Sequence, residues 1–382
     1  MPTVSYFLST TDHPIHEDHP LWSRSLPENW HSGAITPETD STDDVTYGIY
    51  FTSIFKFCAA DGWRRLLTAA SEQLDLPVAE TDLGHLSIFL EKHGGFYHPA
   101  RLQLDVSDRT LTFVVNVAAS GRGRQALPRE VAALSHLNAQ RPFGWFPRVY
   151  HHIYDALPMF MGDWLDGFHE FHLTRRTDND KLAMVIWDGA EDRCLLSTKQ
   201  ERTMYRKAAM ILTACYDPVS SCQIFPWHHA AGDFVIRVDG EKTSVKMITV
   251  RDYVPMAGIE TEPDSEQAIL DALVIFFIHL SVRMRLDRLD GVNEVVWAPD
   301  ACLAPVIQGF FQGLDLTARI SGFPEGFADA FRHYFNHNNK TDLMATAQQV
   351  TEAVFDAQAE ERCVIDSNLT DHMGDLCRRL SA

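Results

Sequence analysis

The sequence predicts an α+β protein in which a small, mostly antiparallel sheet lobe precedes a larger helical lobe, with an extension at the N-terminus. Between residues 84 and 165 apolar residues recur with a period of two, which is typical of half-buried strands. After residue 198 they recur three and four positions apart, as on one face of a helix. We therefore divide the chain into an N-terminal arm with helices (1–83), a sheet lobe (84–165) and a helical lobe (166–382).

The elements of the first half follow from composition and periodicity. Residues 1–45 are rich in His, Pro, Asp, Thr and Ser and predict a loosely packed arm, and amphipathic helices follow at 50–57 and 63–70. One helix packed on the sheet is predicted at 128–138, since its first residue is a proline, and the glycine- and arginine-rich run 121–124 before it reads as a loop. Five strands are predicted at 85–92, 96–106, 111–119, 149–154 and 158–164.

The second half is predicted to be largely helical. A strand at 181–188 is expected to form a hairpin with the strand before it. Two more strands, 234–238 and 244–250, are joined through the turn pair Asp239-Gly240. From about residue 264 onward the pattern is helical throughout. The predicted helices are 264–289, 300–313, 324–337, 341–361 and 367–380.

Composition limits the classes of partner. The chain has 382 residues, of which 45% are hydrophobic and 22% are charged, so it can bury an ordinary core. Lys and Arg total 33 against 52 Asp and Glu, a net charge of -19. A field of that sign repels nucleic acid and anionic membranes. We expect a small-molecule ligand or a protein partner instead.

Localisation is predicted from the cysteines and from two absent signals. The seven cysteines form no CxxC pair, which predicts reduced thiols in a cytoplasmic protein. The first residues show no signal peptide, and no apolar run approaches the roughly 20 residues of a membrane span. Patterns typical of zinc proteases, serine hydrolases, dinucleotide enzymes and P-loop proteins are also absent from the sequence.

The loop within 225–237 is the most informative segment of the chain. Between a predicted helix and a predicted strand it places two adjacent histidines, His228 and His229, followed by Gly232 and Asp233. Side chains that transfer protons or bind metal, gathered on a loop between regular elements, predict a functional site.

The order of elements from about residue 84 to 335 resembles the protein-kinase-like fold, in particular its aminoglycoside and choline phosphotransferase branch. The resemblance implies that the turn Lys92-His93-Gly94-Gly95 covers the phosphates of a nucleotide. It places Asn116 where the family has its phosphate-binding Lys, and Glu130 where the partner Glu of that Lys is expected. The backbone around Met161 would then bind an adenine ring.

The same resemblance assigns roles in the loop. Aligning Gly232-Asp233 with the Gly-Asn of the family's catalytic loop places His228 on the catalytic Asp and Asp233 on the metal-binding Asn. The second metal-binding Asp falls on Thr249, and Asp252 follows three residues later. The implied cofactor is ATP or another nucleotide with a divalent cation, although the Lys and at least one essential Asp are replaced.

Three functions remain open at this point. The first is a degenerate kinase-like protein, a pseudokinase, that binds a nucleotide or phosphorylated small molecule in the interlobe cleft with weak or absent phosphotransferase activity. The second is an active small-molecule phosphotransferase with His228 as base, since histidine titrates near neutral pH, and with Asp233 and Asp252 on a metal. The third is a non-catalytic interaction protein with a vestigial cleft.

Two local expectations follow. Asn116 and Glu130 are predicted to face each other within hydrogen-bond reach. His228, His229 and Asp233 are predicted to line the groove with Asp252 close behind. Such a group could hold one Zn²⁺ or Mn²⁺ ion, and the alternative is a hydrogen-bonded His–Asp pair without metal.

Overall fold

The computed structural model of the protein describes residues 2–9, 13–27, 45–187, 194–228, 232–256, 265–291 and 293–381. The chain divides into two compact units. We call Met1–Gln140 with Pro147–Asp166 the N-terminal unit, and Arg141–Phe146 with Gly167–Ala382 the C-terminal unit. Residues 1–83, which the sequence set apart as an arm with helices, belong to the same unit as the sheet.

The N-terminal unit is built on a mixed sheet. Its strands lie in the order β1-β2-β3-β4-β6-β5, with β1 parallel to β2 and the other neighbouring pairs antiparallel. The mostly antiparallel sheet predicted between 84 and 165 is confirmed, and β1 extends it from a segment predicted to be loosely packed. The elements are β1 (Thr3–Leu8), α1 (Tyr47–Leu74), β2 (Leu83–Leu90), β3 (His98–Val106), β4 (Arg109–Val117), α2 (Gly121–Gln140), β5 (Val149–Ile153) and β6 (Met159–Asp163).

Helix α1 supplies the apolar cover for one face of this sheet. Phe51 and Ile54 are fully buried in one cluster with alternate residues of the strands, among them Phe113. This is the arrangement that a period of two demands, because every second side chain of a strand points to the same face. The helix is interrupted at 60–63, where the backbone leaves the helical region. The two helices predicted here are the two halves of α1.

Helix α2 begins at Gly121, well before the predicted start at Pro128. The run 121–124, predicted to be a loop, is therefore its first turn. The hydroxyl of Ser120 accepts the N–H of Gly123 at 3.0 Å and caps this turn. A Cβ on Gly123 would lie 1.9 Å from the carbonyl oxygen of Phe96, so the position admits only glycine. Glycine weakens the helical pattern in the sequence, which hid the true start.

The C-terminal unit combines helices with short sheets. The strands form a three-stranded sheet β7-β8-β9 and the antiparallel pairs β10-β13, β11-β12 and β14-β15. The elements are β7 (Glu170–Arg175), β8 (Leu182–Trp187), β9 (Cys194–Leu195), α3 (Thr198–Ala214), β10 (Cys222–Ile224), β11 (Phe234–Asp239), β12 (Lys242–Met247), β13 (Tyr253–Pro255), α4 (Glu266–Arg283), β14 (Leu286–Arg288), β15 (Val295–Trp297), α5 (Leu303–Ser321), α6 (Phe327–His337), α7 (Lys340–Val354) and α8 (Glu360–Ser381).

Three expectations for this unit can be compared with the structure. The hairpin β11-β12 turns at Gly240, whose φ of +57° suits glycine, and this prediction is confirmed. The strand predicted at 181–188 pairs with β7, which the sequence analysis missed, and not with the strand at 158–164. The chain after 264 is not helical throughout, because α4 ends at Arg283 and the short pair β14-β15 follows.

Helices α3 and α5 pack closely through two glycines. A Cβ on Gly309 would lie 2.0 Å from the carbonyl oxygen of Arg206, and one on Gly313 would lie 2.6 Å from the carbonyl oxygen of Met210. Both obstacles are backbone atoms of α3, which cannot rotate away. The two helix backbones therefore approach more closely than any side chain at these positions would allow.

None of the helices in the described ranges is long and apolar enough to cross a membrane. The seven cysteines are free thiols.

Candidate functional site

The loop between β10 and β11 is joined to the segment that follows β12. Strand β10 pairs with β13, and the N–H of Phe225 donates to the carbonyl of Asp252 at 3.2 Å. The N–H of Ile248 donates to the carbonyl of Asp233 at 2.8 Å. The peptide bond between Phe225 and Pro226 is cis. Backbone hydrogen bonds therefore hold both segments together at one end of the β11-β12 hairpin.

Asp233 is the anchor of this loop. It is 1% exposed, and its Oδ2 accepts the N–H of His228 at 2.7 Å and a guanidinium N–H of Arg251 at 2.7 Å. Its Oδ1 is buried and accepts no hydrogen bond from the residues that the structure describes. Burial raises the pKa of Asp233 above its ordinary value, and the charges of Arg251 and Arg283 oppose that rise.

Arg283, at the end of α4, clamps the other side of the loop. Its guanidinium donates to the carbonyl of Trp227 at 2.6 Å and to Nε2 of His279 at 3.2 Å. It also lies over the ring of Phe225, 5.5 Å from the ring centre. Burial lowers the pKa of Arg283 to about 10 and that of His279 to about 3, so the histidine is the neutral acceptor of this bond.

Neither Arg283 nor the pairing of Arg251 with Asp233 was predicted from the sequence. The only signal for Arg283 was an arginine at the end of a long apolar helix, where a cation has to find a partner once it is buried. The partners of both arginines lie far away in the chain, and no local pattern reveals them.

The charges around Asp233 disfavour the predicted metal set. A divalent cation bound to Oδ2 of Asp233 would have to displace Arg251, and it would enter the field of Arg283 as well. Asp252 is half-buried, and its Oδ1 accepts the N–H of Tyr253 at 2.9 Å. Within the described residues, no group of three or more His, Cys, Asp or Glu side chains could hold a metal ion. His229 lies outside the described residues.

His228 contributes its backbone to the anchor. The contact that the structure shows with Asp233 is made by its N–H, as given above, and its side chain is half-buried. The structure thus brings His228 and Asp233 together through main chain to carboxylate. A hydrogen bond between a histidine side chain and Asp233 stays a prediction. The contacts that the structure shows at Oδ2 of Asp233 are this one and the ion pair with Arg251.

In the N-terminal unit, the turn predicted to cover phosphates is fastened to the start of α2. The N–H of Gly94 donates to the carbonyl of Tyr97 at 3.1 Å, which closes the turn. The hydroxyl of Ser120 donates to the carbonyl of Gly95 at 3.3 Å. Lys92, beside the turn, is exposed to solvent. Among Lys92, Gly94 and Gly95 of this turn, Lys92 is the residue with a charged side chain.

Asn116 and Glu130 do not meet as predicted. Asn116 is half-buried on β4, opposite Pro99 on one side and Phe160 on the other. Glu130 is 2% exposed on α2. No hydrogen bond joins the two side chains in the part of the chain that the structure describes. The reason is the placement of α2, which packs mainly on β5 and β6 instead of β4.

Met161 is enclosed by the sheet. It lies in β6 between β4 and β5, opposite Val115 and His151, and its side chain is fully buried on the α1 face. Both backbone edges of β6 are therefore occupied by neighbouring strands at this residue. The predicted contact between the Met161 backbone and an adenine ring is not available.

A pair of histidines beside the same turn was also missed. Nδ1 of His93 lies 3.0 Å from Nδ1 of His98, and the hydroxyl of Tyr50 donates to the carbonyl of His98 at 3.1 Å. Burial, and to a smaller extent the charge of His93, lowers the pKa of His98 to about 4. At neutral pH the pair is therefore uncharged and shares one hydrogen bond.

This pair should make the N-terminal unit sensitive to acid. Below the ordinary histidine pKa of about 6.5 the unfolded chain binds a proton at His98, whereas the folded chain binds it only near pH 4. The contribution of His98 to stability is therefore fully present above pH ~6.5 and is lost as the pH falls toward 4. We expect a loss on the order of 2–3 kcal/mol from this group. Urea unfolding at pH 7.5 and pH 4.5 measures it.

The control for this prediction is an exposed histidine of the same unit. His98→Gln should flatten the change in unfolding free energy between the two pH values, and His152→Gln should leave it as in the parent chain. An equal pH dependence in both variants would show that other groups cause the loss.

Neither protein-family models nor curated proteins match this sequence.

Proposed function

We propose that the chain is a degenerate kinase-like protein of the aminoglycoside and choline phosphotransferase type. It binds a nucleotide or another phosphorylated small molecule and transfers phosphoryl groups weakly or not at all. The proposal rests mainly on one observation: the carboxylate of Asp233 is buried and ion-paired with Arg251.

The order of elements supports the scaffold. Three antiparallel strands, a helix and two more strands are followed by a mostly helical unit with an embedded hairpin. The loop before that hairpin and the segment after it are joined by backbone hydrogen bonds, as the resemblance requires of a catalytic loop and a metal-binding segment.

The chemistry of the loop supports weak or absent phosphotransfer. Phosphoryl transfer needs carboxylates that hold Mg²⁺ against the phosphates, and a residue that orients the attacking hydroxyl. Here the carboxylate of Asp233 binds an arginine, and Asn116 brings no charge to the position of the Lys. Arg251 occupies the carboxylate oxygen that would otherwise be available to Mg²⁺, which disfavours catalysis.

Nucleotide binding is the direct test. We expect ATP and ADP to raise the unfolding temperature with or without Mg²⁺, because no metal bridge is needed. At ten times its Kd a ligand adds ~1.4 kcal/mol to the folded state. Lys92→Ala should weaken binding several-fold, whereas Lys56→Ala, another exposed lysine of the same unit, should not. Turnover is measured in parallel with a panel of hydroxylated small molecules.

Two outcomes would overturn the proposal. Mg²⁺-dependent turnover that Asp233→Asn abolishes would identify an active phosphotransferase. If ATP, ADP and the phosphorylated members of the panel all leave the unfolding temperature unchanged, the chain is an interaction protein without a ligand of this class.

A further inference from the structure

A groove in the C-terminal unit lies between the first turns of α3 and the start of α5. Its volume is about 430 Å³, and Arg202, Arg206, Pro305 and Gln308 are among the residues that line it. That size is within the range of pockets that hold small molecules. The groove shares no residue with the loop around Asp233.

The α3 wall of the groove is positively charged. Lys199, Arg202 and Arg206 follow one another at intervals of three and four residues, which places them on one face of the helix. All three line the groove. In a chain whose net charge is -19, three cations around one concave surface are a local reversal of the overall field.

Helix stability does not explain these cations. The N-terminus of a helix carries the positive end of its dipole, so cations in the first turns are unfavourable and belong near the C-terminus. In α3 the arrangement is inverted, with Lys and Arg in the first half and no basic residue in the last turn. Lys199 lies in the first turn together with Glu201, and Arg202 and Arg206 lie beyond that turn, so the helix dipole gives none of the three cations a stabilising role.

The groove retains binding capacity. Arg206 donates to the amide oxygen of Gln312 at 3.0 Å, and Lys199 is paired with Glu241. The Lys199–Glu241 pair is exposed, and such pairs contribute little, so a stronger anion can replace it. Arg202 is exposed and makes no hydrogen bond or ion pair with the described residues. The hydroxyl of Thr198, also in the groove, accepts and donates none within them.

We propose that this groove binds the phosphate group of a small phosphate monoester. The guanidinium of Arg202 matches two phosphate oxygens in a bidentate contact, and Lys199 and Thr198 supply a further charge and a hydroxyl. Pro305 and Gln308 form the opposite wall against the organic part of the ligand. A nucleic acid is disfavoured because its extended phosphate chain would meet the acidic remainder of the surface.

Calorimetric titration with glycerol 2-phosphate and with inorganic phosphate tests this site, with glycerol as the uncharged probe. We expect both phosphates to bind, the monoester at least as tightly as inorganic phosphate, and glycerol not to bind. Arg202→Gln should weaken monoester binding at least 10-fold. Arg319→Gln, an exposed arginine on α5 outside the groove, should leave it unchanged.

The same variants separate this groove from any nucleotide site. Arg202→Gln should keep the thermal shift produced by ATP, and Lys92→Ala should keep monoester binding. Equal monoester binding by Arg202→Gln and Arg319→Gln would overturn the proposal. So would the joint loss of ATP and monoester binding in Arg202→Gln, because the groove would then be the nucleotide site itself.

Discussion

Replacing Asp233 by Asn should lower the free energy of unfolding of the C-terminal unit by about 3–5 kcal/mol. The variant keeps an oxygen that can accept the N–H of His228. The loss of unfolding free energy therefore reports the effect of removing the negative charge. Arg251 has only a quarter of its side chain exposed, and Arg283 is held by Trp227 and Phe225, so neither cation can return easily to water. The two guanidinium groups would then lose the negative charge that offsets their repulsion.

Urea unfolding of Asp233→Asn measures this loss, with Asp239→Asn as the control. Asp239 is exposed at the end of β11 and should change stability by less than about 0.5 kcal/mol. The measurement is repeated with and without Mg²⁺ or Zn²⁺. If the Asn variant loses stability only when metal is present, Asp233 is a metal ligand and the anchoring role is wrong.

Gly309→Ala should cost about 3 kcal/mol or more, above the usual range for an added methyl group. An added methyl group in a protein core is usually accommodated because neighbouring flexible side chains move aside. Here the new Cβ would lie 2.0 Å from a backbone oxygen of α3, so the two helices would have to move apart. That movement would disturb the packing around Gly313 as well, and the double variant should therefore cost less than the sum of the single ones.

Gly374→Ala is the matched control on another helix of the same unit. Nothing lies within 4 Å of its missing Cβ, and the residue is exposed on α8. Alanine is the better helix former by about 0.5–1 kcal/mol, so this variant should be stabilised. Thermal unfolding of both variants then gives changes of opposite sign. A neutral Gly309→Ala would mean that α3 and α5 are not packed as closely as described.

Sequence periodicity predicted those elements whose signal is local and long. Buried and more exposed residues alternate along most of β2, β3 and β4 because α1 covers one face of their sheet. The hairpin β11-β12 carries its own turn signal in Gly240, and α4 is long and apolar. In the sheet and in the hairpin, the residues that define a strand also lie close in the chain to the strand with which it pairs.

Elements that depend on distant partners were missed. β1 pairs in parallel with β2 across 82 residues, and β14 and β15 have three residues each, too few for a period to show. The start of α2 was hidden because the glycine that fits against Phe96 is a poor helix former. In each case tertiary contacts overrode the local preference.

The same distinction between local signals and distant partners applies to the candidate site. The loop at His228 and Asp233 stood out by its residue types, since few side chains transfer protons or bind metal. What Asp233 does depends on Arg251 and Arg283, which lie 18 and 50 residues further along the chain. A resemblance in element order assigns a residue to a position, but the charges packed around it decide its chemistry.

The parallel pairing of β1 with β2 has a consequence during protein synthesis. β1 leaves the ribosome before β2, and its partner strand is made only after α1 is complete. The apolar stretch Thr3–Leu8 therefore waits without a partner in the nascent chain, exposed to chaperones, while the helix that covers the sheet is already available. Because β1 is an edge strand of the finished sheet, the sheet is complete only after this stretch has paired with β2.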